Sequence, residues 1–390
     1  MSSVAPHQLF ITVVHGTWPD GLFRTLLGRR RRTYWFDDGS SFFTRLSAEL
    51  GDIPHRIKSL PWCGENSVYE RDNAAHRLAD DLSAEHNEHP RATQLVVAHS
   101  HGGNIAHRAL YYLQKREGSL VYDEESATPL VVTLATPFIE IHRADVGQRS
   151  VLVRLALLFS ILTPLSIFAS PVLASSVENF SVSAFLVLAA ILLLTGVLGV
   201  MGWHWIFKKG DARQKQIEAL SDATRLGEVT SAQRLLVIRA VDDEAYLVMA
   251  LGTILAYIFT TSMALAVAVL LLAPFIAAAV SFILFLLQRS PMDPDWFRHA
   301  LTFGCSASVI AMFGALIVSR LVHGRELAKS PMDCQINTQS APDATGLKIV
   351  TLVSEKYVKW FGRHGIYEHD NCAKTISDWV RAQLGVQPDS

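Results

Sequence analysis

LVVAHSHGGNIAHRAL, residues 95–110, is the stretch that decides the fold of this chain. Four apolar residues at its start predict a buried strand, and the apolar residues after Gly103 have helical spacing. Ser100 stands at the junction of the two. A sharp strand-to-helix turn exposes a serine hydroxyl above a sheet, and the N–H groups at the start of the helix stabilise an oxyanion formed by its attack. The stretch therefore predicts Ser100 as a nucleophile; the plain alternative is a tight strand-to-helix turn.

Small residues surround this serine. The pattern expected of such a turn is G-x-S-x-G, and here Ala98 takes the place of the first glycine while Gly102 is the second. We expect one extra methyl group to fit at that position. His99 and His101 flank the serine, and we expect them to pack or to tune the site rather than to act as bases, because neighbours on such a turn point away from it.

Composition places part of the chain in a membrane. Of the 390 residues, 50% are hydrophobic and only 18% are charged, whereas a soluble domain carries roughly 25% charged residues. The net charge of −1 gives no general attraction to nucleic acid. The four cysteines form no C-x-x-C pair, so we expect no metal site, no cofactor and no disulfide framework. Reduced thiols indicate the cytosolic side.

Four long apolar blocks predict membrane helices, since about 20 apolar residues span a bilayer as a helix. They cover residues 151–173, 180–207, 247–287 and 300–322. The first two form one hairpin insertion and the last two form another. The block at 247–287 is too long for one crossing, but two crossings there would separate the polar segments on either side of the second insertion. We therefore expect residues 247–287 to form one long kinked or partly interfacial helix, or a re-entrant pair, and favour four crossings in all.

Basic residues indicate how these helices are oriented. They flank the blocks on the side of the polar segments: Arg143, Arg149, Arg154, Lys208, Lys209, Arg213, Lys215, Arg320 and Arg325. The positive-inside rule then predicts an integral membrane protein whose polar domain is cytoplasmic. The start, MSSVAPHQ, has no basic segment of a signal peptide. The expected location is a bacterial inner membrane.

The polar segments predict an α/β fold with a mostly parallel sheet flanked by helices, into which the transmembrane hairpins are inserted. Apolar runs that predict strands lie at 9–14, 95–99, 130–136, 234–241 and 347–354. Residues 66–86 predict an amphipathic helix with Ala75, Leu78, Ala79 and Leu82 facing inward. The predicted division is core 1–150, insertion 151–207, core 208–246, insertion 247–322 and core 323–390.

A nucleophilic serine needs a base, and the base needs an orienting acid. In hydrolases with a strand–turn–helix serine the chain order is serine, acid, histidine, and this chain offers that order. Asp242 and Asp243 follow the strand run at 234–241, and His364 follows the last strand run. A solvated acidic loop is the alternative for the aspartates, and His369 is the alternative base.

Five motifs together resemble the lipase- and esterase-like members of the α/β-hydrolase superfamily. They are HGTW (15–18), AHSHGG (98–103), TLATPF (133–138), VDDEA (241–245) and RHGIYEHDNCAKTISDWV (363–380). The resemblance implies a triad of Ser100 as nucleophile, Asp243 as acid and His364 as base. Asp242 stands where these hydrolases have a small residue, which leaves the choice between the two aspartates open.

The same resemblance assigns a role to the HGTW loop, which in the alternative interpretation is only a turn after a strand. The backbone N–H groups of Thr17 and His101 would form the oxyanion hole. His15, Gly16 and Gly102 would support it, with Trp18 as a wall of the acyl site.

These patterns predict a membrane-anchored serine hydrolase that cleaves an acyl ester, with lipid esters among the substrates. The expected partners are this ester and the bilayer, without nucleic acid; the sequence predicts no oligomeric state. One rival is a catalytically inactive membrane scaffold or binding protein that has an α/β-hydrolase fold, since fold does not entail activity. Another is a transport role, which the scarcity of ionisable residues in the blocks disfavours. The run Arg29–Arg32 predicts either a solvated face or contact with anionic headgroups.

Overall fold

A computed structural model gives the fold of the polar segments. The residues that the structure describes are 8–19, 33–116, 128–143, 210–224, 234–240, 314, 317, 324, 326, 334–342, 347–353 and 365–386. The two predicted insertions, the run at Arg29–Arg32, both candidate acids and His364 fall outside these residues, apart from Gly314 and Ile317 within the second insertion.

A six-stranded, all-parallel sheet forms the centre of the fold, in the order β2-β1-β3-β4-β6-β8. Its strands are β1 (Leu9–Val14), β2 (His55–Ser59), β3 (Thr93–His99), β4 (Leu130–Leu134), β6 (Leu235–Ala240) and β8 (Lys348–Leu352). The mostly parallel α/β sheet predicted from the sequence is confirmed. Segments that precede, separate and follow the two apolar insertions therefore share one sheet.

Helices cover both faces of this sheet. They are α1 (Ser41–Leu50), α2 (Val68–Glu88), α3 (His101–Arg116), α4 (Gly210–Thr224) and α5 (Asp370–Leu384). One core cluster lies between the sheet, α1 and α5, and a second lies between the sheet, α2 and α3. The inward positions predicted for the helix at 66–86 are confirmed, because Ala75, Leu78, Ala79 and Leu82 are all buried in α2.

Two predicted strands end earlier than expected. The run at 347–354 forms β8 only over Lys348–Leu352, and the run at 130–136 also ends early. The run at 130–136 was expected to form a single strand, but β4 ends at Leu134. Ala135 has a φ of +46° and Pro137 follows, so the chain turns there. Residues Phe138–Arg143 then form β5, which pairs antiparallel with β7 (Cys334–Gln339) as a separate two-stranded ribbon. This ribbon joins segments on either side of both apolar insertions.

The strand order reverses at the end of the sheet where its parallel strands finish, which we call the carboxyl edge, and the space outside this reversal is called the crevice. The chain runs outward from β1 to β2 and then returns across β1 to β3, so the order reverses between β1 and β3. In open parallel sheets, ligands bind outside the carboxyl ends of the strands at such a reversal. The carboxyl ends of β1 and β3 carry His15 and Ser100, respectively.

Among the described residues, no helix has both the length and the apolar character needed to cross a bilayer. The apolar blocks at 151–207 and 247–322 are outside that search except for Gly314 and Ile317. Their membrane-spanning character stays a prediction.

Candidate active site

Ser100 occupies the junction between β3 and α3 in a backbone conformation that L-residues rarely adopt. Its φ is +54°, in the left-handed region, and its N–H donates to Leu134 O at 2.8 Å. The serine is 6% exposed. Such strained positions cost roughly 1–3 kcal/mol and persist where the surrounding structure holds them, commonly at functional sites. Strand, strained serine and helix together have the geometry expected of a nucleophile turn.

Glycines allow the turn to lie against its neighbours. A Cβ on Gly102 would lie 2.5 Å from Val14 O, at the end of β1. A Cβ on Gly103 would lie 2.2 Å from Oγ1 of Thr136. Real Cβ atoms do not approach other heavy atoms this closely, so both positions exclude any larger residue. The small residues around Ser100 therefore serve the packing of α3 against β1 and the turn after β4.

The HGTW loop packs directly on the serine. A Cβ on Gly16 would lie 2.6 Å from Cβ and 3.1 Å from Oγ of Ser100. The structure thus brings together five of the predicted site residues: His15, Gly16, Thr17, Ser100 and Gly102. His101 is the first residue of α3, so its backbone faces the same crevice from the start of the helix.

Aromatic stacking fixes the His15 ring. Phe36 stacks on one side with ring centroids 4.2 Å apart, and Trp62 stacks at 5.1 Å. Trp62 also donates its Nε1–H to His15 O at 2.9 Å. Burial lowers the pKa of His15 below its usual value of 6.5. The His15 ring is therefore neutral at pH 7, which is compatible with its buried stacking between Phe36 and Trp62.

His15 also sets the direction of the next peptide group. Its Nδ1 lies 2.8 Å from Gly16 O, and because a carbonyl only accepts, Nδ1 carries the proton and donates. In a trans peptide the N–H points opposite to the C=O. Holding Gly16 O on the imidazole therefore turns the N–H of Thr17 away from that ring. His15 orients the loop and is not placed as a base.

The two histidines beside the serine are buried and in contact with other groups. The ring of His99 meets Trp35 edge-on at 5.6 Å and Tyr367 at 4.9 Å. The ring of His101 lies 3.5 Å, Nδ1 to Nδ2, from Asn104. These contacts are those of packing residues, which is the role expected for both.

Asn104, in the first turn of α3, connects the nucleophile turn to the ribbon. Its Nδ2 donates to Pro137 O at 2.8 Å, and its Oδ1 accepts the N–H of Ile139 at 3.1 Å. The sequence did not single out this residue, although Asn104 lies four positions after Ser100 and two after Gly102 as a polar residue at a predicted helix start. Its side chain satisfies the backbone where the chain turns from β4 into β5.

The predicted acid and base lie outside the described residues, but the elements that lead to them reach the same edge. Ala240 ends β6 at the carboxyl edge, two strands from β3 and three residues before Asp243. Tyr367 stacks on Trp35 at 4.6 Å, three residues after His364. Both chain segments thus lead to the crevice that holds Ser100.

The alternative base, His369, has both ring nitrogens in contact. Nδ1 accepts the N–H of Asn371 at 3.1 Å and caps α5, and Nε2 lies 3.2 Å from Val353 O. Because Nδ1 accepts, Nε2 carries the proton and donates to that carbonyl. A ring held in this way at a helix start has no free nitrogen for proton transfer, which favours His364 over His369.

Aromatic residues of the loop before α1 are the main part of the site that sequence reasoning missed. Phe36 stacks on Tyr34 and on His15. Trp35 meets Phe36 and His99 edge-on, and these three consecutive aromatic residues are called the aromatic row. Three aromatic residues in a short segment between polar runs were a visible signal. In the described part of the chain, no group of three or more metal-binding side chains lies close enough together to hold an ion.

No protein-family model matches this chain, and none of the curated proteins is significantly similar to it.

Proposed function

We propose that this protein is a membrane-anchored serine hydrolase that cleaves an acyl ester, with Ser100 as nucleophile, His364 as base and Asp243 as acid. The observation that carries the proposal is the left-handed backbone of Ser100, φ +54°, between β3 and α3. A serine is an unusual choice for this conformation, where glycine is unstrained. The strained backbone is explained if it is needed to expose the Ser100 hydroxyl above the sheet.

The surroundings of Ser100 support acyl transfer over other chemistry. The start of α3 directs partial positive charge at the crevice, and the Gly16–Thr17 peptide is oriented by His15 and pressed against Ser100. N–H groups from two separate segments beside one serine hydroxyl make the arrangement that stabilises the oxyanion of a tetrahedral intermediate. We assign these donors to Thr17 and His101.

In the proposed reaction, Oγ of Ser100 attacks the ester carbonyl while His364 accepts the hydroxyl proton. The tetrahedral intermediate collapses, the bond from carbonyl carbon to alkoxy oxygen breaks, and His364 returns the proton to the leaving alcohol. Water then adds to the acyl-enzyme with His364 again as base, which releases the acid and restores the serine. Asp243 orients the imidazole and stabilises its charged form.

Chain geometry supports the triad assignment. Adjacent strands are about 4.8 Å apart, so the end of β6 lies about 10 Å from the end of β3. Three residues span at most about 11 Å, which lets Asp243 reach inward from Ala240 and His364 reach inward from Tyr367. Asp242 is one residue closer to β6 and remains the alternative acid. The membrane anchor rests on the apolar blocks at 151–207 and 247–322.

Fluorophosphonate labelling of membranes that contain the full chain tests the proposal. The wild type and Ser377→Ala are expected to label; Ser377 is a buried serine in α5 whose hydroxyl donates to Glu49 O, remote from the crevice. Ser100→Ala and His364→Ala are expected not to label. A folded wild type that does not label would contradict the proposal and favour the inactive scaffold.

A further inference from the structure

The second predicted insertion, residues 247–322, is called the second apolar block from here on. After this block the chain makes a buried contact with the start of α2. Glu326 lies four residues after the end of that block at Val322. Its carboxylate accepts the Ser67 hydroxyl at 2.6 Å and the Val68 N–H at 2.9 Å, at the start of the helix. Glu326 is 7% exposed, and its charge raises the pKa of the neighbouring Arg71 against the larger lowering by burial. The end of the block is therefore fixed to the domain.

This contact lies beside the crevice loop. The loop at 62–66 follows β2 at its carboxyl end and joins α2 through Ser67. Gly64 O accepts the N–H of Trp18 at 2.9 Å. A Cβ on Gly324 would lie 3.4 Å from Asn66 O. Gly324, two residues after the second apolar block, thus lies against the loop that supports the HGTW segment.

The start of the same block lies at the same edge. β6 ends at Ala240, and β6 is parallel to β3, so Ala240 and Ser100 follow strand ends on one edge of the sheet. The block begins at Leu247, seven residues later. The described residues nearest to the two ends of the second block, Ala240 and Gly324, therefore lie on the side of the molecule that carries Ser100.

A basic run is attached there as well. Arg29–Arg32 belong to the segment between Pro19 and Thr33. Pro19 lies against Gly64, and Phe36, three residues after Thr33, stacks on His15. Basic residues close to an anionic membrane surface are attracted to it. The loop that carries these four arginines begins and ends at the carboxyl edge.

We infer that the carboxyl edge of the sheet, with the loops 15–19, 33–36 and 62–66, is the surface of the domain that faces an anionic lipid bilayer. The inference rests on the membrane anchor of the proposed function, not on its chemistry. In this orientation, the opposite edge of the sheet, where β1 and β3 begin, faces away from the lipid. The candidate nucleophile then opens towards the bilayer, so substrates dissolved in lipid reach it without crossing water.

Fluorophore quenching by lipid distinguishes the two edges. Cys63 is exposed in the carboxyl-edge loop, and Arg91 is exposed before β3 at the opposite edge. The full-length chain with Cys305→Ser and Cys334→Ser is labelled at Cys63 with the fluorophore NBD; Cys372 is buried and stays. The matched variant adds Cys63→Ser and Arg91→Cys. Both are reconstituted in vesicles of phosphatidylcholine and phosphatidylglycerol with brominated acyl chains near the headgroup.

We expect bromolipid to quench the label at Cys63 at least threefold more strongly than the label at position 91. Equal quenching, or stronger quenching at position 91, with the protein in the vesicles would overturn the inferred orientation while the anchor stands. Protein that does not enter vesicles or the membrane fraction would overturn the anchor and the orientation together. None of these results depends on Ser100, so fluorophosphonate labelling judges the hydrolase chemistry separately. Glu65→Cys and Glu88→Cys provide a second pair of exposed positions if either first variant fails to fold.

Discussion

The backbone of Gly16 touches the side chain of Ser100 so closely that an added methyl group would lie 2.6 Å from the serine Cβ. Gly16→Ala must therefore push the HGTW loop or the serine out of place. A displacement of 1 Å in a reacting group costs about 100-fold in rate, so we expect esterase activity and fluorophosphonate labelling to fall by about 100-fold. Gly39→Ala is the control for an added methyl group, because it places that group in open space; its φ of +74°, unlike the φ of Gly16, is positive, so the control also includes backbone strain. Equal losses in both variants would refute the role of the contact.

His15→Phe tests the orientation of the Gly16–Thr17 peptide. Phenylalanine keeps the stack between Phe36 and Trp62 but cannot donate to Gly16 O. We expect kcat for a short-chain ester to fall about 10- to 100-fold with KM and unfolding midpoint nearly unchanged, because one oxyanion donor is misdirected. A loss of stability with kcat per folded molecule unchanged would leave His15 with a packing role alone.

Ser100→Gly and Ser100→Ala separate strain from chemistry. Both remove the hydroxyl, but only glycine adopts a φ of +54° without strain. We expect the glycine variant to be about 1 kcal/mol more stable than the alanine variant in urea unfolding. A glycine variant that is no more stable than the alanine variant would contradict the strain at this turn.

Glu326 and Arg71 are buried, oppositely charged residues, and loss of the electrostatic interaction between them should destabilise the domain. Burial lowers the pKa of Arg71 to about 10, so the guanidinium stays charged at neutral pH and needs a compensating charge. Glu326→Gln removes that charge and is expected to cost about 3 kcal/mol of unfolding free energy. In the double variant with Arg71→Met, less than the sum of the single losses is expected. Additive losses would show that the two side chains do not interact.

His107 should limit stability in acid. It is a buried residue of α3 whose ring meets Phe138 edge-on, its Nε2 finds no partner in the described part of the chain, and burial lowers its pKa to about 4. Below pH 6.5 the unfolded chain binds a proton at His107 that the folded chain does not bind. The stability that comes from burying the neutral ring is therefore complete above pH 6.5 and is lost as pH falls towards 4. The slope reaches about 1.4 kcal/mol per pH unit.

Urea unfolding at a series of pH values checks this expectation. His107→Leu should unfold with a shallower decline between pH 6.5 and pH 4 than the wild type. His86→Leu, at a half-buried position near the end of α2, is the control and should decline like the wild type. Parallel curves for His107→Leu and the wild type would contradict the assignment.

Strands that are buried on both faces were predictable from sequence, and polar ones were not. β1 and β3 are continuous apolar runs, and the structure places them at the centre of the sheet. β2 has the sequence HRIKS, with one apolar residue, because it is the outermost strand on one side of the sheet. Charged side chains on an outermost strand prevent pairing with other chains. β5 and β7 pair across about 190 residues of chain, which local periodicity does not encode.

Of the candidate site, the turn at Ser100 and its glycine neighbours follow from sequence, since close backbone approach admits only small residues there. The roles of Asn104 and the aromatic row do not, because an asparagine or a tryptophan suits many environments. Position in the fold alone decides that Trp35 covers His99. The roles of Asp243 and His364 stay predictions.

The ribbon of β5 and β7 and the central pairing of β4 with β6 set the order of assembly. A ribosome delivers β1 to β4 first, then residues 151–207, and only later β6, the second apolar block, β7 and β8. The β4–β6 pairing cannot form until residues 151–207 have been synthesised. The β5–β7 ribbon cannot form until residues 247–322 have been synthesised as well. The crevice around Ser100, where Tyr367 stacks on Trp35, is therefore completed only after both apolar insertions have been synthesised, so the site forms when nearly the whole chain is present.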